Sequence, residues 1–310
     1  MAKILVVSKI FTDEEMIQLQ NTHVMPEQID IIVKNVDTDV YTDDGELLCK
    51  FRKGQISKEN IDEYYDALAH FTITHPTSNR GNTSGDARSN IKTNSKKYSS
   101  IIGFFDRWSP KQKYSFKNMN MALSSLPEVR ETFFNTAYPD KYKNAIPLIT
   151  EIDNLYKSLI PDKYNKQFEK SQQTFFRIGE TAFTTATTNI NFTTTIHRDK
   201  GDDEEGFGNL AVIERGEYSG GETCFPQYGL GIDVRQGDIL FMNVHEWHGN
   251  LPLHLEDKAR RMSVVCYLRK QVWLRSKDMN EEEFTEHIAT QRKLNKTTYK
   301  KCQARDKLIL

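Results

Sequence analysis

The sequence predicts an α+β protein in two unlike halves: a mixed region of helices and short strands, then a strand-rich core of sandwich, barrel or jelly-roll type. Three observations carry this. Before residue 172, apolar residues recur at helical spacing, as in Ile61, Tyr64, Tyr65, Leu68 and Phe71. From about residue 173 the chain is dense in Thr, Phe and Ile, which favour strands. The short apolar runs there are punctuated by Gly220-Gly221, Tyr228-Gly229 and Gln236-Gly237-Asp238, all turn signals.

Each element follows from local chemistry. Ile4-Leu5-Val6-Val7 forms a first strand, because Lys9 interrupts the run too early for a signal-peptide core. Thr12-Asp13-Glu14-Glu15 has the form of a capping box and opens a helix to about Gln20. A strand is expected over 29–36. A turn at 41–46, centred on Asp44-Gly45, leads to a return strand at 47–51. A helix covers 58–71. Residues 74–100 are dominated by Thr, Ser, Asn, Gly and Arg and form a long surface loop, a length that usually signals function or disorder. A buried strand follows at 101–106, then helix over 145–170, broken at Pro161. Strands are expected within 175–196 and at 210–214, 232–234, 239–243 and 262–268. Asn280-Glu281-Glu282-Glu283 caps a helix to about residue 295, and a basic tail completes the chain. The expected organisation is a support region over 1–172 with a polar, substrate-facing loop at 74–100, a catalytic core over 173–275, and a C-terminal helix and tail over 276–310.

Composition narrows the function classes. The net charge is -1, from 42 Lys+Arg against 43 Asp+Glu in 310 residues, so bulk charge does not announce a nucleic-acid binder. With 17 Phe, 13 Tyr and 3 Trp the chain is too aromatic to be disordered. No apolar run is long enough to span a membrane as a helix. Cys49, Cys224, Cys266 and Cys302 are scattered, with no Cys-x-x-Cys pair, which favours a reducing intracellular compartment.

The chemistry concentrates in His197-Arg198-Asp199-Lys200-Gly201-Asp202. In an extended chain residues two apart face one side, so His197 and Asp199 can address one metal ion. A second imidazole would complete a facial triad, the arrangement that suits Fe(II) and leaves positions open for a co-substrate and O2. Eight His and 21 Asp in 310 residues make about half of one chance His-x-Asp match, so the tripeptide alone decides little. Context adds weight. A Gly-Asp turn at 237–238 feeds a strand that ends in His245 and His248, either of which could be the third ligand. Arg261 and Ser263 then alternate on one strand face, where a guanidinium fork and a hydroxyl suit a carboxylate.

These pieces resemble the Fe(II)/2-oxoglutarate-dependent dioxygenases, and among them the TET/JBP family of nucleic-acid-base oxygenases. The resemblance covers roughly residues 175–270. It rests on the His-Arg-Asp-Lys-Gly-Asp segment at 197–202, Tyr218-Ser219-Gly220-Gly221-Glu222, Gln236-Gly237-Asp238-Ile239-Leu240-Phe241, Trp247-His248-Gly249 and Arg261-Met262-Ser263-Val264-Val265. A weaker match is Asn79-Arg80-Gly81-Asn82-Thr83-Ser84-Gly85, similar to an Arg-Gly loop in JBP-like and algal members.

The resemblance implies a double-stranded β-helix (jelly-roll) core buttressed by helices. It implies His197, Asp199 and His248 as iron ligands, with His248 chosen over His245 by its Trp-His-Gly context. It implies Arg261, assisted by Ser263, as partner of the distal carboxylate of 2-oxoglutarate. Asp202 occupies a co-substrate position in the similar algal enzyme that uses vitamin C, so ascorbate is the alternative co-substrate. The implied reaction is oxidation, by O2, of the 5-methyl group of 5-methylcytosine or thymine in DNA. Such a base must be flipped out of a duplex, which makes Asn189, Asn191 and Phe192, just before the ligands, substrate candidates together with Arg80, Gly81 and His245. Phosphate contact would come from local Arg and Lys clusters, the long loop first among them. The competing expectation is a prolyl- or lysyl-type protein hydroxylase on the same scaffold. A nuclear or cytoplasmic protein, or one encoded by a virus or phage, fits either reading.

Overall fold

The structure is a computed structural model that describes residues 2–77, 83, 97–107 and 128–306, with side chains to residue 293. Arg80, Gly81 and most of the polar loop lie outside the described residues.

The first region supplies six strands: β1 (Lys3–Val7), β2 (Ile31–Val33), β3 (Thr38–Thr42), β4 (Leu47–Arg52), β5 (Tyr98–Arg107) and β6 (Glu128–Glu131). Its helices are α1 (Asp13–Leu19), α2 (Lys58–Thr74), α3 (Phe133–Ala137), α4 (Pro139–Leu159) and α5 (Pro161–Gln172). The core adds β7 (Thr185–Ile190), β8 (Gly208–Arg215), β9 (Tyr218–Gly220), β10 (Thr223–Phe225), β11 (Leu230–Ile232), β12 (Ile239–Met242), β13 (Gly249–Asn250), β14 (Leu253–Leu255) and β15 (Arg260–Tyr267). Helices α6 (Lys270–Ser276) and α7 (Glu281–Asp306) follow.

A nine-stranded sheet has the order β1-β3-β4-β12-β8-β15-β7-β5-β6, and a four-stranded sheet the order β13-β10-β11-β2. The antiparallel run β12-β8-β15-β7 faces β13-β10-β11, which an antiparallel bridge between His197 and His248 extends by one segment. These two four-segment layers are the expected double-stranded β-helix. Strands β1, β3, β4, β5 and β6 join the same large sheet, so residues before 172 are woven into the layer that carries the core.

Period-two alternation explains the packing. Leu210, Val212, Leu240 and Met242 point between the layers, against Phe225, Leu230 and Ile232. Their neighbours Ala211, Ile213, Ile239 and Phe241 point outward into a second apolar cluster with α2 and α4. There Phe241 stacks on Tyr156 with ring centroids 5.2 Å apart, and Tyr64 Oη meets Thr188 Oγ1 at 2.8 Å. On β15 the same rule sends Met262, Val264 and Cys266 outward and leaves Arg261, Ser263, Val265 and Tyr267 for the interior.

Several expected boundaries move. The capping box at Thr12 and Glu15 is present and opens α1. The strand expected at 29–36 shrinks to β2, because Pro26 starts a 3-10 turn over Pro26–Gln28. Within 175–196 only β7 is strand, and left-handed Asn191 (φ 53°) ends it. The strand expected at 232–234 lies at Leu230–Ile232, started by left-handed Gly229 (φ 60°). The helix expected from 145 begins at Pro139, a residue preorganised for a first helical turn. Helix α7 runs to Asp306 instead of giving way to a tail near 295, since its Lys, Gln and Ala residues are good helix formers. Strands β3, β6, β9, β10, β13 and β14 and helices α3 and α6 have no expected counterpart.

The packing predicts that Phe241→Ala costs about 3–5 kcal/mol. Ile4→Ala, at a side chain 69% exposed, stays within about 0.5 kcal/mol. Urea unfolding of the two variants against the parent measures both, and equal midpoints would contradict this account of the core.

Candidate active site

The interior of the jelly roll holds a cavity of about 350 Å³. Its ligating wall is built by backbone pairing. The His197 N–H donates to the His248 carbonyl at 2.9 Å, and the His248 N–H returns the bond to the His197 carbonyl at 2.9 Å. The Asp199 N–H donates to the Val244 carbonyl at 3.0 Å. Residues 45 or more positions apart are thereby fixed side by side.

Ligand atoms of His197, Asp199 and His248 all lie within 4.8 Å of one another. His197 Nε2 is 3.6 Å from Asp199 Oδ1, and His248 Nε2 is 3.8 Å from Oδ2. Those separations are too long for hydrogen bonds and suit atoms that share one ion. Each imidazole is also oriented. Nδ1 of His197 lies 2.7 Å from the Thr195 carbonyl, and Nδ1 of His248 lies 2.9 Å from the Glu246 carbonyl. A carbonyl only accepts, so both protons sit on Nδ1 and both Nε2 lone pairs face Asp199, the orientation a metal ligand needs. The donor set of two neutral nitrogens and one carboxylate fits Fe(II).

Arg261 reaches the same cavity from β15 and is only 3% exposed. Its Nε has no hydrogen-bond partner, and no carboxylate among the described residues pairs with it. A buried, unpaired guanidinium is costly, and an incoming carboxylate would offset that cost. Ser263 and Asn189 flank it: Asn189 Nδ2 approaches Ser263 Oγ at 3.5 Å, and Asn189 Oδ1 has no partner. Space for the arginine comes from Gly221 (φ 77°), where an added Cβ would lie 3.2 Å from Arg261 Nε.

The other expected site residues divide. Asn189, Phe192 and Asp202 line the cavity with the triad, Arg261 and Ser263. Asn191 does not; its Oδ1 accepts the Arg261 N–H at 2.9 Å, and its own N–H donates to the Arg261 carbonyl at 2.8 Å. It holds the arginine's backbone in place. His245 also lies elsewhere, with Nδ1 3.0 Å from the Asp199 carbonyl and Nε2 3.1 Å from the Asp203 carbonyl, where it supports the loop after the ligands.

Further cavity residues escaped the sequence: Thr187, Tyr267, Asp106 and Arg269. Tyr267 and Thr187 could have been found by alternation from Arg261 and Asn189. Asp106 and Arg269 lie on separate elements, and no spacing rule joins them. Burial opposes the Arg269 charge, but Tyr267 and Asp106 outweigh it and raise its pKa above the ordinary value. Arg269 Nε donates to Asp106, so this wall presents an ion pair.

Comparison with known proteins follows the same lines. Residues 118–270 match the family model for the TET/JBP oxygenase domain of the 2OGFeDO superfamily. Thymine dioxygenase JBP1 of Trypanosoma brucei brucei is 32% identical over 143 residues, 45% of this chain and 17% of that protein. The bifunctional helicase and thymine dioxygenase JBP2 of Leishmania braziliensis is 30% identical over 167 residues, 54% of this chain and 15% of that protein. The chain thus spans less than a fifth of the length of these relatives. The solved structure of NgTET1 in complex with 5mC DNA is 13% identical, with a TM-score of 0.56, covering 92% of this chain and 90% of that one; it shows the shared fold. The chain therefore carries a TET/JBP oxygenase domain of the superfamily of Fe(II)- and 2-oxoglutarate-dependent dioxygenases.

Proposed function

We propose that this protein oxidises the 5-methyl group of a pyrimidine in DNA, coupled to decarboxylation of 2-oxoglutarate. His197, Asp199 and His248 would hold Fe(II), and Arg261 with Ser263 would receive the co-substrate's distal carboxylate. The observation that carries this reading is the pairing, in one cavity, of a preoriented two-His, one-Asp set with a buried guanidinium that lacks a counter-charge. The unpaired Arg261 favours 2-oxoglutarate over ascorbate, because a dicarboxylate supplies the missing anion. Asp202, on the same cavity wall, is the residue on which the ascorbate alternative rests.

Iron, when bound with 2-oxoglutarate and O2, supplies the oxidising power that replaces a methyl hydrogen by hydroxyl. In balance, the methyl base, O2 and 2-oxoglutarate give the hydroxymethyl base, succinate and CO2. The chain's own tasks are binding, orientation and water exclusion. Leu210, Met242 and Val265 form the apolar lining that keeps bulk water from the reacting atoms. Phe192, 5% exposed, offers a stacking surface for a flipped base, and Asn189 offers a hydrogen-bonding amide.

The relatives named thymine dioxygenases make thymine the first base to test and 5-methylcytosine the second. A DNA partner is supported by one detail of the polar loop. Thr83 accepts the Thr195 N–H at 2.8 Å, two residues before His197, and lines the cavity with Thr77. Thr83 is thus held beside the ligands; Arg80 and Gly81 are proposed as DNA contacts from their sequence alone, by the likeness of their segment to an Arg-Gly loop of JBP-like members. Among the described residues no helix is long and apolar enough to cross a membrane. A role in DNA modification would put the protein where that DNA is kept, in a nucleus for a eukaryotic genome.

Two outcomes are expected. With Fe(II), O2 and 2-oxoglutarate, DNA oligonucleotides containing thymine or 5-methylcytosine should yield a hydroxymethyl base by nucleoside mass spectrometry, and His197→Ala should abolish it. Parallel arms with ascorbate alone and with both co-substrates test the assignment of Arg261; product with ascorbate alone would refute it, and no product in any arm would refute the base reading. Arg261→Met should raise the KM for 2-oxoglutarate by about 10-fold to 100-fold, the loss of one charge-assisted interaction. Steady-state kinetics at saturating DNA reads this, and an unchanged KM would remove Arg261 from the co-substrate site.

A further inference from the structure

Behind the ligands lies a second contact that joins the same two segments. Arg198 sits between His197 and Asp199, so in extended chain its side chain leaves on the opposite side from theirs. Trp247 precedes His248 and is only 5% exposed. The Arg198 guanidinium lies over the Trp247 ring, 4.5 Å from its centroid. A cation over a partly desolvated indole face is a favourable electrostatic contact, and here it spans the two ligand-bearing segments.

The segment around α1 holds this pair from outside. Asp13, in the first turn of α1, lies 3.6 Å from Arg198 Nη2 and accepts the Gln227 amide at 2.7 Å. Just after α1, the Asn21 N–H donates to the Ile196 carbonyl and the Ile196 N–H donates to the Thr22 carbonyl, both at 2.9 Å. Met16 and Val24 pack with Ile196, Trp247 and Leu251 in one buried cluster. Residues 13–24 therefore grip the chain immediately before His197 and immediately before His248, and they lie outside the matched 118–270 segment.

We propose that Asp13, Arg198 and Trp247 form a clamp that sets the position of His248 relative to His197 and Asp199, and so governs affinity for the divalent metal. This rests on the reading of the triad as metal ligands. The three are positioning residues. The backbone bonds from Asp199 N–H to the Val244 carbonyl and from Asn250 N–H to the Thr194 carbonyl flank the bridge within the layer, and the side-chain contact behind it adds a restraint on the face turned away from the ligands. The arrangement also disposes of a charge problem. A cation one residue from two ligands would repel a divalent ion, and the indole face and the Asp13 carboxylate hold it on the far side.

The test is Co(II) titration of the full chain, read by the d–d absorption of the bound ion, beside thermal unfolding without metal. Arg198→Met and Trp247→Leu should weaken Co(II) binding at least about tenfold, the scale of support residues behind a metal site, and should change the absorption band. Arg198→Lys and Trp247→Phe, which keep a cation and a ring, should recover most of the affinity. Asp13→Asn should give a smaller loss. Parent-like affinity and spectrum in Arg198→Met and Trp247→Leu would overturn the clamp while leaving the metal site intact. So would an affinity loss that simply tracks the metal-free melting temperature and is not rescued by Trp247→Phe. A parent chain that binds no Co(II), or binds it undiminished after His248→Ala, would overturn the metal reading and the clamp with it.

Discussion

The reciprocal pair of backbone hydrogen bonds between His197 and His248 is the constraint on which the site depends. It brings two distant stretches of chain to adjacent positions in one layer and aims both side chains inward. Neither stretch is a regular strand over its length; β13 is only two residues, and residues 191–207 carry no long ladder. The local precision has to come from elsewhere. Carbonyls of Thr195 and Glu246 fix the rings, the Val244 carbonyl fixes the backbone of Asp199, and His245 supports the turn beyond. Every one of these acceptors is main chain, so the ligand geometry is written mostly in the path of the backbone.

Around that point the large sheet acts as a partition. One face of each central strand meets the helices and is largely apolar, with Thr188 hydrogen-bonded to Tyr64 there; the other face turns polar where it meets the cavity. Strand β15 shows this best, because Met262, Val264 and Cys266 bury in the helical cluster while Arg261 and Ser263 face the ligands. A guanidinium can be held there because the sheet is anchored on its other side by large aromatic side chains such as Tyr64, Tyr156 and Phe241. The folding free energy gained on one face sustains the desolvated charge on the other. Binding and stability thus meet on the same eight residues.

Much of this was legible in the sequence. Period-two spacing placed His197 with Asp199 and Arg261 with Ser263, and the turn glycines located most core strands. The chemistry of a two-His, one-carboxylate set needed only a second histidine, and the Trp-His-Gly context chose His248. Three things were not legible. Asn191 sits beside Asn189 but is turned away from the cavity by its left-handed backbone, which a side-chain pattern does not reveal. His245 has the right residue type on the right strand end, yet the turn points it at carbonyls. Asp106 and Arg269 meet only because β5 pairs with β7 while α6 begins next to β15, a tertiary fact without local signal.

The way the early strands enter the large sheet bears on how this domain can be handled. A fragment trimmed to the matched residues 118–270 would lack β4, β2 and β5. Strand β12 would lose its ladder to β4, β11 its ladder to β2, and β7 its ladder to β5. Three strands now flanked by protein would become bare edges, each offering unpaired N–H and C=O groups to any neighbouring chain. The boundaries of sequence similarity are therefore narrower than the boundaries of the cooperative unit. An excised core would be a template for aggregation, and the 117 residues ahead of the match serve the core partly as a seal on its edges.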